Sequence, residues 1–425
     1  MIISIFTFAF KCIAFKINGL GINPCRSQRE RSSVPDLLPF SLGPIRKKKH
    51  MAGIYLHIPF CKSRCIYCDF YTTTDSHCQD AYVEALIQEL EQRKEYLEDP
   101  IKTIYIGGGT PSLLSINQLE KIFNTLFSKY NLTTVEEITL EANPDDLNHT
   151  YLQSLQSLPI NRLSIGIQSF NDRHLKALNR RHSASEAIDA VKRSQNYGFH
   201  NISIDLIYGL PNETLQEWEK DIEQAIALNI QHLSAYHLIY EEDTPLFRLL
   251  QEKKIKEVDE DLSVHFFSIL IDKLKHAGFE HYEISNFCKK GFRSRHNSSY
   301  WDGSHYMGCG PSAHSYNGIN REWNISSLTE YIQGIQSNQR SFEQENLNLS
   351  TRYNDYIITS LRRSEGIDLK YVKKAFGEKL YQHCLFFAQP HLNSKALEVK
   401  NDNLKLTHQG IFISDGIMSD LLFIL

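Results

Sequence analysis

Six strand-like runs that alternate with helical stretches limit the possible folds of this chain more than any other feature. The runs are rich in Ile, Leu and Tyr, and several are apolar on both faces, which is typical of buried parallel strands. Six β/α units in succession predict an α/β fold, a partial (β/α)6 barrel of the TIM type. In chain order the runs are GIYLHIPF (53–60), TIYIGGG (103–109), EITLEANP (137–144), RLSIGIQSF (162–170), NISIDLIYGLP (201–211) and HLSAYHLIY (232–240).

Helix starts between the runs are marked by three capping-box patterns, in which two side chains satisfy free backbone N–H groups reciprocally. The segment DAYVEALIQELEQRKEYL (80–97) adds helical apolar spacing. The capping pairs are Ser115/Gln118, Ser183/Glu186 and Thr214/Glu217.

The pattern changes near residue 290. We predict a division there between the partial barrel, residues 51–290, and a smaller C-terminal α+β domain, residues 291–425. The segment RSRHNSSYWDGSHYMGCGPSAHSY (293–316) is rich in Gly, Ser and His and predicts a structured loop. Helical spacing returns near Tyr353, and residues 396–423 then predict a short hairpin and a last helix.

Residues 1–50 differ from the rest of the chain in charge. They carry nine Lys or Arg against Glu30 and Asp36, which leaves 37 basic and 48 acidic residues in the remainder. Lys11 and Lys16 interrupt the apolar start, so no span reaches the ~18 residues of a membrane helix, and a signal peptide is the weaker alternative. We predict a disordered leader or an over-long gene model, a cytoplasmic protein, and an acidic body without nucleic acid as partner. Peripheral membrane contact is not indicated.

Three cysteines, Cys61, Cys65 and Cys68, lie within CKSRCIYCDF (61–70). Structural zinc sites and fully coordinated iron–sulfur clusters use four protein ligands, so three thiolates indicate a site left open for a small molecule. The C-x3-C-x2-C spacing, with an aromatic residue before the last cysteine, resembles the radical S-adenosylmethionine signature. It implies a [4Fe–4S] cluster and S-adenosylmethionine as cofactors. A zinc site with a distant fourth ligand, or three incidental cysteines, is the alternative. The remaining cysteines are scattered, which predicts small buried side chains.

Further candidate residues follow where the strand-like runs end, at the face that carries the active site of parallel barrels. GGGTPS (107–112) follows a strand and precedes a helix, so its backbone can approach the methionyl moiety without Cβ interference. Glu141 and Asp205 suit the hydroxyl or ammonium groups of the cofactor, and a capping or salt-bridge role is the alternative. Gln168 lies in the fourth run.

Five motifs, in this order and spacing, resemble oxygen-independent coproporphyrinogen III oxidase and its relatives: YLHIPFCKSRCIYCDF, GGGTPS, EANP, SIGIQSF and DLIYGLP. The resemblance covers most of residues 53–425. The oxidase has a further cysteine two residues after the third, where this chain has Phe70. HNSSYW (296–301) matches the HNxxYW motif of the haem-chaperone branch. The chain is therefore identified as a member of the HemW-type haem chaperones; the oxidase, or another radical S-adenosylmethionine oxidoreductase, is the alternative.

The resemblance implies roles for particular residues. Cys61, Cys65 and Cys68 would bind the cluster, and His57 would lie close to it. One contact with S-adenosylmethionine is assigned to Arg180, and its neighbour Arg181 is the alternative for the same contact. The residues that would contact S-adenosylmethionine are Tyr55, Gly108, Gly109, Thr110, Glu141, Gln168, Arg180 and Asp205.

The resemblance also implies haem as cargo, passed to haemoproteins of the respiratory chain, with His296 as the candidate ligand. The alternative is that His296 and its Asn neighbour order their loop by hydrogen bonds. Tyr300 and Trp301 offer flat rings to a porphyrin face, and Arg293 and Arg295 are near enough in sequence to reach propionates, or are solvated.

Two further expectations follow from single residues. If His296 is not the haem ligand, His57 and His314 are the next candidates. Because Phe70 has no thiol, it cannot replace the extra cysteine of the oxidase, and we expect no coproporphyrinogen III oxidase activity.

Overall fold

The computed structural model describes residues 51–424, so the predictions for residues 1–50 lie outside the described part of the chain. The six predicted strands lie side by side in chain order and pair in parallel throughout. The predicted α/β partial barrel is therefore confirmed. The strands are β1 (Ala52–Ile58), β2 (Ile101–Gly108), β3 (Glu137–Ala142), β4 (Arg162–Gln168), β5 (Ile202–Tyr208) and β6 (His232–His237).

Helices connect these strands and bury their apolar faces against them. All three predicted capping boxes form, at Ser115, Ser183 and Thr214. A cap of this kind is worth about 1 kcal/mol, so these residues help fix where the helices begin. The helices are α1 (Gln79–Gln92), α2 (Ile116–Lys129), α3 (His149–Leu155), α4 (Asp172–Ala177), α5 (Ala184–Asn196), α6 (Leu215–Ala227), α7 (Pro245–Gln251) and α8 (Glu260–His276), with 3-10 turns at Pro111–Leu113 and Pro144–Asp146.

The sheet continues at both ends without closing on itself. At one end β6 pairs with an antiparallel strand, and at the other end β1 pairs in parallel with a strand from the second half of the chain. The added elements are β7 (Glu280–Glu283), β8 (Asn286–Cys288), α9 (Arg295–Trp301), β9 (His305–Cys309), β10 (His314–Tyr316), β11 (Asn320–Asn324), α10 (Leu328–Gln336) and β12 (Phe342–Asn346). The strand order is β12-β11-β10-β9-β1-β2-β3-β4-β5-β6-β8-β7.

The prediction of a structured loop over residues 293–316 is wrong, because this stretch contains α9, β9 and β10. Its glycines serve close packing as well as turns: a Cβ at Gly308 would collide with the carbonyl oxygen of His314 on the neighbouring strand. The composition of the stretch could not show that its partner strand, β1, lies far away in the sequence. The sheet contains strands from both sides of residue 290, because β1 pairs with β9. The division into two domains at this residue stays a prediction.

A second core begins at Tyr353 and holds the C-terminal part together. The predicted hairpin and last helix are confirmed. The elements are α11 (Leu349–Leu361), β13 (Ile367–Asp368), α12 (Leu369–Asn393, interrupted at Gly377), the hairpin β14 (Leu397–Lys400) and β15 (Asn403–Leu406), α13 (His408–Ile411) and the last helix α14 (Ser414–Leu421). Over residues 51–424, none of the helices combines the length and the apolar character needed to cross a bilayer.

Candidate functional site

One cavity of about 870 Å³ lies at the carboxyl ends of the parallel strands, the face expected from the sequence. Its walls come from the cysteine loop after β1, from the ends of the following strands, and from α9, β9 and β10. Phe70 also lines it. The structure brings together twelve of the residues predicted to bind the cluster, S-adenosylmethionine or haem: Tyr55, Cys61, Cys65, Cys68, Gly108, Gly109, Thr110, Glu141, Gln168, Arg180, Asp205 and His296. Their individual roles stay predictions.

The cysteine loop fits an iron–sulfur cluster by the chemistry of its donors. Burial raises the pKa of the Cys61 thiol, and it raises the pKa of Cys68 to about 12, so both stay protonated until a metal replaces the proton. Thr110 donates a 3.4 Å hydrogen bond to Cys61 Sγ, and Arg180 Nη1 lies 3.2 Å from Cys65 Sγ. A [4Fe–4S] cluster takes each thiolate on a different iron and does not need three side chains that converge on one point. Within residues 51–424, no three side chains of His, Cys, Asp or Glu converge so that they could hold a single metal ion.

The end of β2 forms a cradle that only glycine allows. Gly108 has a φ of +110°, and a Cβ there would lie 2.6 Å from the ring of His57. A Cβ at Gly109 would lie 2.8 Å from the carbonyl oxygen of Phe60 and 3.1 Å from Cys61 Sγ. The glycines therefore let the backbone approach the cysteine loop closely. The approach to a methionyl moiety that GGGTPS predicts stays a prediction.

Glu141, near the end of β3, is oriented by two donors. The Tyr105 hydroxyl donates a 2.6 Å hydrogen bond to Oε1, and the Gly108 N–H donates one of 3.0 Å to Oε2. Burial and the nearby Asp205 carboxylate raise the pKa of Glu141 to about 7. A carboxylate held in this way is suited to receive an ammonium group. Sequence reasoning missed Tyr105, although strand alternation in TIYIGGG could have placed it on the face of the cavity.

The geometry separates the two neighbouring arginines at the end of α4. Arg180 lines the cavity and donates hydrogen bonds of 2.5 Å to Asn143 Oδ1 and to the carbonyl oxygen of Gly166. Arg181 instead pairs with Asp145 at 2.5 Å. These contacts favour Arg180 for the role at the cofactor. Sequence reasoning missed Asn143 as a site residue, although the EANP motif contains it.

Gln168 and Asp205 continue the same wall on the next two strands. Gln168 has a φ of +74°, a left-handed conformation that side chains rarely adopt and that clusters at functional sites. Burial raises the pKa of Asp205, and Ser164 Oγ lies 3.5 Å from its Oδ2. The backbone of Gln168 is therefore strained by about 1–3 kcal/mol, and burial disfavours the charged form of Asp205.

His296 lies on α9 and is buried, with 1% of its surface exposed. Its Nδ1 lies 2.8 Å from Thr103 Oγ1, and its Nε2 lies 2.9 Å from the Tyr300 hydroxyl. Its backbone N–H donates a 2.9 Å hydrogen bond to Glu137. Burial lowers the pKa of His296 to about 3. These contacts favour the alternative in which His296 orders its own segment by hydrogen bonds, although that segment is helix α9 and not a loop. Haem ligation by His296 would cost one of its two ring hydrogen bonds.

The residues named beside His296 are dispersed. Tyr300 lines the cavity, whereas the ring of Trp301 lies under the Arg362 guanidinium, 5.0 Å from its centre. Arg293 pairs with Glu365 and Arg295 pairs with Glu136, each at 2.7 Å. His57 is also engaged, because its Nδ1 lies 3.0 Å from the Tyr55 hydroxyl and its Nε2 lies 2.9 Å from the carbonyl oxygen of Tyr71.

Comparisons with known proteins agree with this geometry. Residues 55–225 match the model of the radical SAM superfamily. The chain is 33% identical over 372 residues to the haem chaperone HemW of Lactococcus lactis, covering 87% of this chain and 96% of that protein. It is 34% identical over 381 residues to HemW of Bacillus subtilis, covering 88% and 99%. Coproporphyrinogen III oxidase (HemN) from Escherichia coli has the same fold, with a TM-score of 0.77 at 22% identity, covering 88% of this chain and 91% of that chain.

Proposed function

The chain belongs to the HemW family of haem chaperones, within the radical S-adenosylmethionine superfamily, and we propose that it binds haem and delivers it to haemoproteins. The observation that carries the proposal is that the alignments cover 96% and 99% of two HemW proteins. We propose haemoproteins of the respiratory chain as acceptors. We propose the cytoplasm as the compartment, because cysteines outside the cluster motif, such as Cys288, Cys309 and Cys384, are free thiols, and free thiols persist in reducing surroundings.

The strand-end residues would hold the resident cofactors. Cys61, Cys65 and Cys68 would bind the [4Fe–4S] cluster, which when bound supplies one iron open to the amino and carboxylate groups of S-adenosylmethionine. The cradle at Gly108 would let the methionyl moiety approach the backbone, and Glu141 would accept its ammonium group.

Phe70 is the reason for preferring haem transfer to oxidative decarboxylation. It lines the cavity beside the cysteine loop, at the position where the oxidase has a further cysteine. An aromatic ring can neither donate a hydrogen atom as a thiol does nor bind iron. It can pack against a flat macrocycle.

The test is anaerobic reconstitution followed by two parallel assays on one preparation. We expect a Soret titration that saturates at about one haem per chain. We expect no protoporphyrinogen from coproporphyrinogen III, reductant and S-adenosylmethionine. Repeated turnover of coproporphyrinogen III would replace the proposal with the oxidase, and a wild-type protein without a saturable Soret change would refute haem carriage.

A further inference from the structure

Among residues 51–424, three histidines line the cavity, and they differ in whether their ring nitrogens are engaged. Both nitrogens of His296 are hydrogen-bonded, as described above. Both nitrogens of His237 are engaged as well, since Nδ1 lies 2.9 Å from the carbonyl oxygen of Leu238 and Nε2 lies 3.0 Å from Ser263 Oγ. The third is His314, whose ring makes no hydrogen bond to any residue of the described chain.

Packing against Trp323 fixes one face of the His314 ring. The imidazole stacks on Trp323 of β11, with ring centres 5.4 Å apart and planes at 22°. Ser315, the next residue of β10, points to the opposite face and accepts a 2.9 Å hydrogen bond from Arg93. Arg93 is itself paired with Glu322 at 2.5 Å. The strand that carries His314 is therefore anchored from its other face.

The surroundings of His314 suit a metal-bound macrocycle. Burial and the nearby Arg321 lower the pKa of His314 to about 4, so the imidazole is neutral at physiological pH, the form that binds metals. Phe70 and Tyr306 line the same cavity and can offer aromatic faces to a flat ring system.

Resting on the function proposed above, we propose that His314 supplies the axial nitrogen to the iron of the haem cargo. His296 then keeps both of its hydrogen bonds and acts as a positioning residue for α9. His314 can bind iron without breaking a hydrogen bond to any residue of 51–424, whereas His237 and His296 would each lose one.

The same geometry gives a reason for release. A histidine that binds a metal normally donates its other ring N–H to a carboxylate or carbonyl oxygen, and losing such a partner costs about 10–100-fold in metal affinity. His314 has no such acceptor within residues 51–424. Its bond to iron is therefore weaker than the bond in a resident haem site, which suits a cargo that must leave.

The test compares haem titrations of three variants on reconstituted protein: His314→Ala, His296→Ala and, as a control on the surface, His200→Ala. We expect His314→Ala to bind haem about tenfold more weakly or worse, with iron and sulfide contents unchanged. His200→Ala keeps the wild-type affinity and spectrum. His296→Ala keeps the wild-type Soret spectrum of bound haem, while its affinity falls to the extent that His296 positions α9. Free imidazole added to His314→Gly restores the wild-type Soret band, and His314→Met shifts it, because both changes act at the iron.

The outcomes distinguish this inference from the proposed function. Wild-type affinity and spectrum in both His314→Ala and His314→Met would overturn the assignment of His314 and leave haem binding standing. A spectral change in His296→Ala alone would move the ligand to His296. Failure of the wild-type protein to bind haem would overturn both proposals. If His314→Ala loses its cluster, the imidazole rescue of His314→Gly and the spectrum of His314→Met decide whether His314 is the ligand. If neither the rescue nor the spectral shift appears, His314 is not the ligand.

Discussion

The two walls of the cavity use their polar groups differently. The strand-end wall consists of the cysteine loop with Gly108–Thr110, Glu141, Asn143, Gln168, Arg180 and Asp205. The α9–β10 wall consists of His296, Asn297, Tyr300, Tyr306 and His314. On the first wall hydrogen bonds fix the groups that would meet the cofactors. On the second wall the tyrosines belong to an aromatic cluster, and His314 is without a hydrogen-bond partner in the described chain.

The two arrangements suit retention of a ligand on one wall and release of a ligand from the other. Preorganised donors and acceptors lose little freedom when a ligand binds, so they favour tight binding. Aromatic faces and a single unsupported imidazole give affinity without many directional bonds that must break on departure. We propose on this basis that the resident cofactors bind at the strand-end wall and the cargo at the α9–β10 wall. Four substitutions test this assignment, and they are ordered by the size of the change that we expect.

The largest effect is expected from Cys65→Ser, which removes one of the three thiolates from the strand-end wall. An alkoxide is a poor ligand for iron in a cluster, so we expect nearly complete loss of iron and sulfide after reconstitution. Cys78→Ser, a partly buried thiol outside the cavity, is the control and should keep its cluster. Full iron occupancy in Cys65→Ser, measured by metal analysis and absorbance, would remove this cysteine from the site.

Gly108→Ala should have the next largest effect, because it adds a Cβ where the backbone is strained and the ring of His57 is close. Gly198→Ala is the matched control: its φ is +86°, but a Cβ there has nothing within 4 Å. Backbone strain alone costs about 1–2 kcal/mol, and the clash adds about 1–3 kcal/mol. Denaturant unfolding should show the larger loss for Gly108→Ala, and only this variant should lose affinity for S-adenosylmethionine. Equal losses would mean that the cradle is not closely packed.

Glu141 should make S-adenosylmethionine binding depend on pH. Its pKa is raised to about 7 from an ordinary 4.5, so the free carboxyl group gains a proton as the pH falls below 7. A bound ammonium group needs the carboxylate, and we expect affinity to fall by up to about tenfold per pH unit below pH 7 and to level off above it. Glu141→Gln should bind more weakly at pH 8 and lose this dependence. Glu91→Gln, on the surface, should keep it.

Phe70→Cys should have the smallest effect. It restores the cysteine at the position that distinguishes the oxidase, while the rest of the cavity stays unchanged. We expect iron content and S-adenosylmethionine affinity like the wild type, and no protoporphyrinogen from coproporphyrinogen III. Activity gained through this one substitution would mean that the α9–β10 wall already accepts the oxidase substrate, which would break the comparison.

Much of the strand-end wall could be predicted because its information is local. The alternation of strand-like runs with capped helices fixes the order of the elements, and strand ends in a parallel sheet meet at one face. The C-x3-C-x2-C spacing and the glycines of GGGTPS place their own chemistry within a few residues. The α9–β10 wall was harder to predict from the sequence. The Gly, Ser and His residues of 293–316 are typical of a loop, and only the partner strand β1 shows that part of this stretch is a strand.

The six parallel strands, the three helix caps and the position of the cysteine loop, Glu141, Gln168 and Asp205 at the carboxyl ends of the strands followed from the sequence alone. The folded chain was needed to show which of two adjacent arginines faces the cavity, that β9 pairs with β1, and that both nitrogens of His296 are engaged. The physical reason is that backbone periodicity and capping depend on neighbours in the chain. Hydrogen-bond partners such as Thr103 for His296 come from segments almost two hundred residues away. The freedom of His314 likewise depends on what the rest of the fold leaves unpaired.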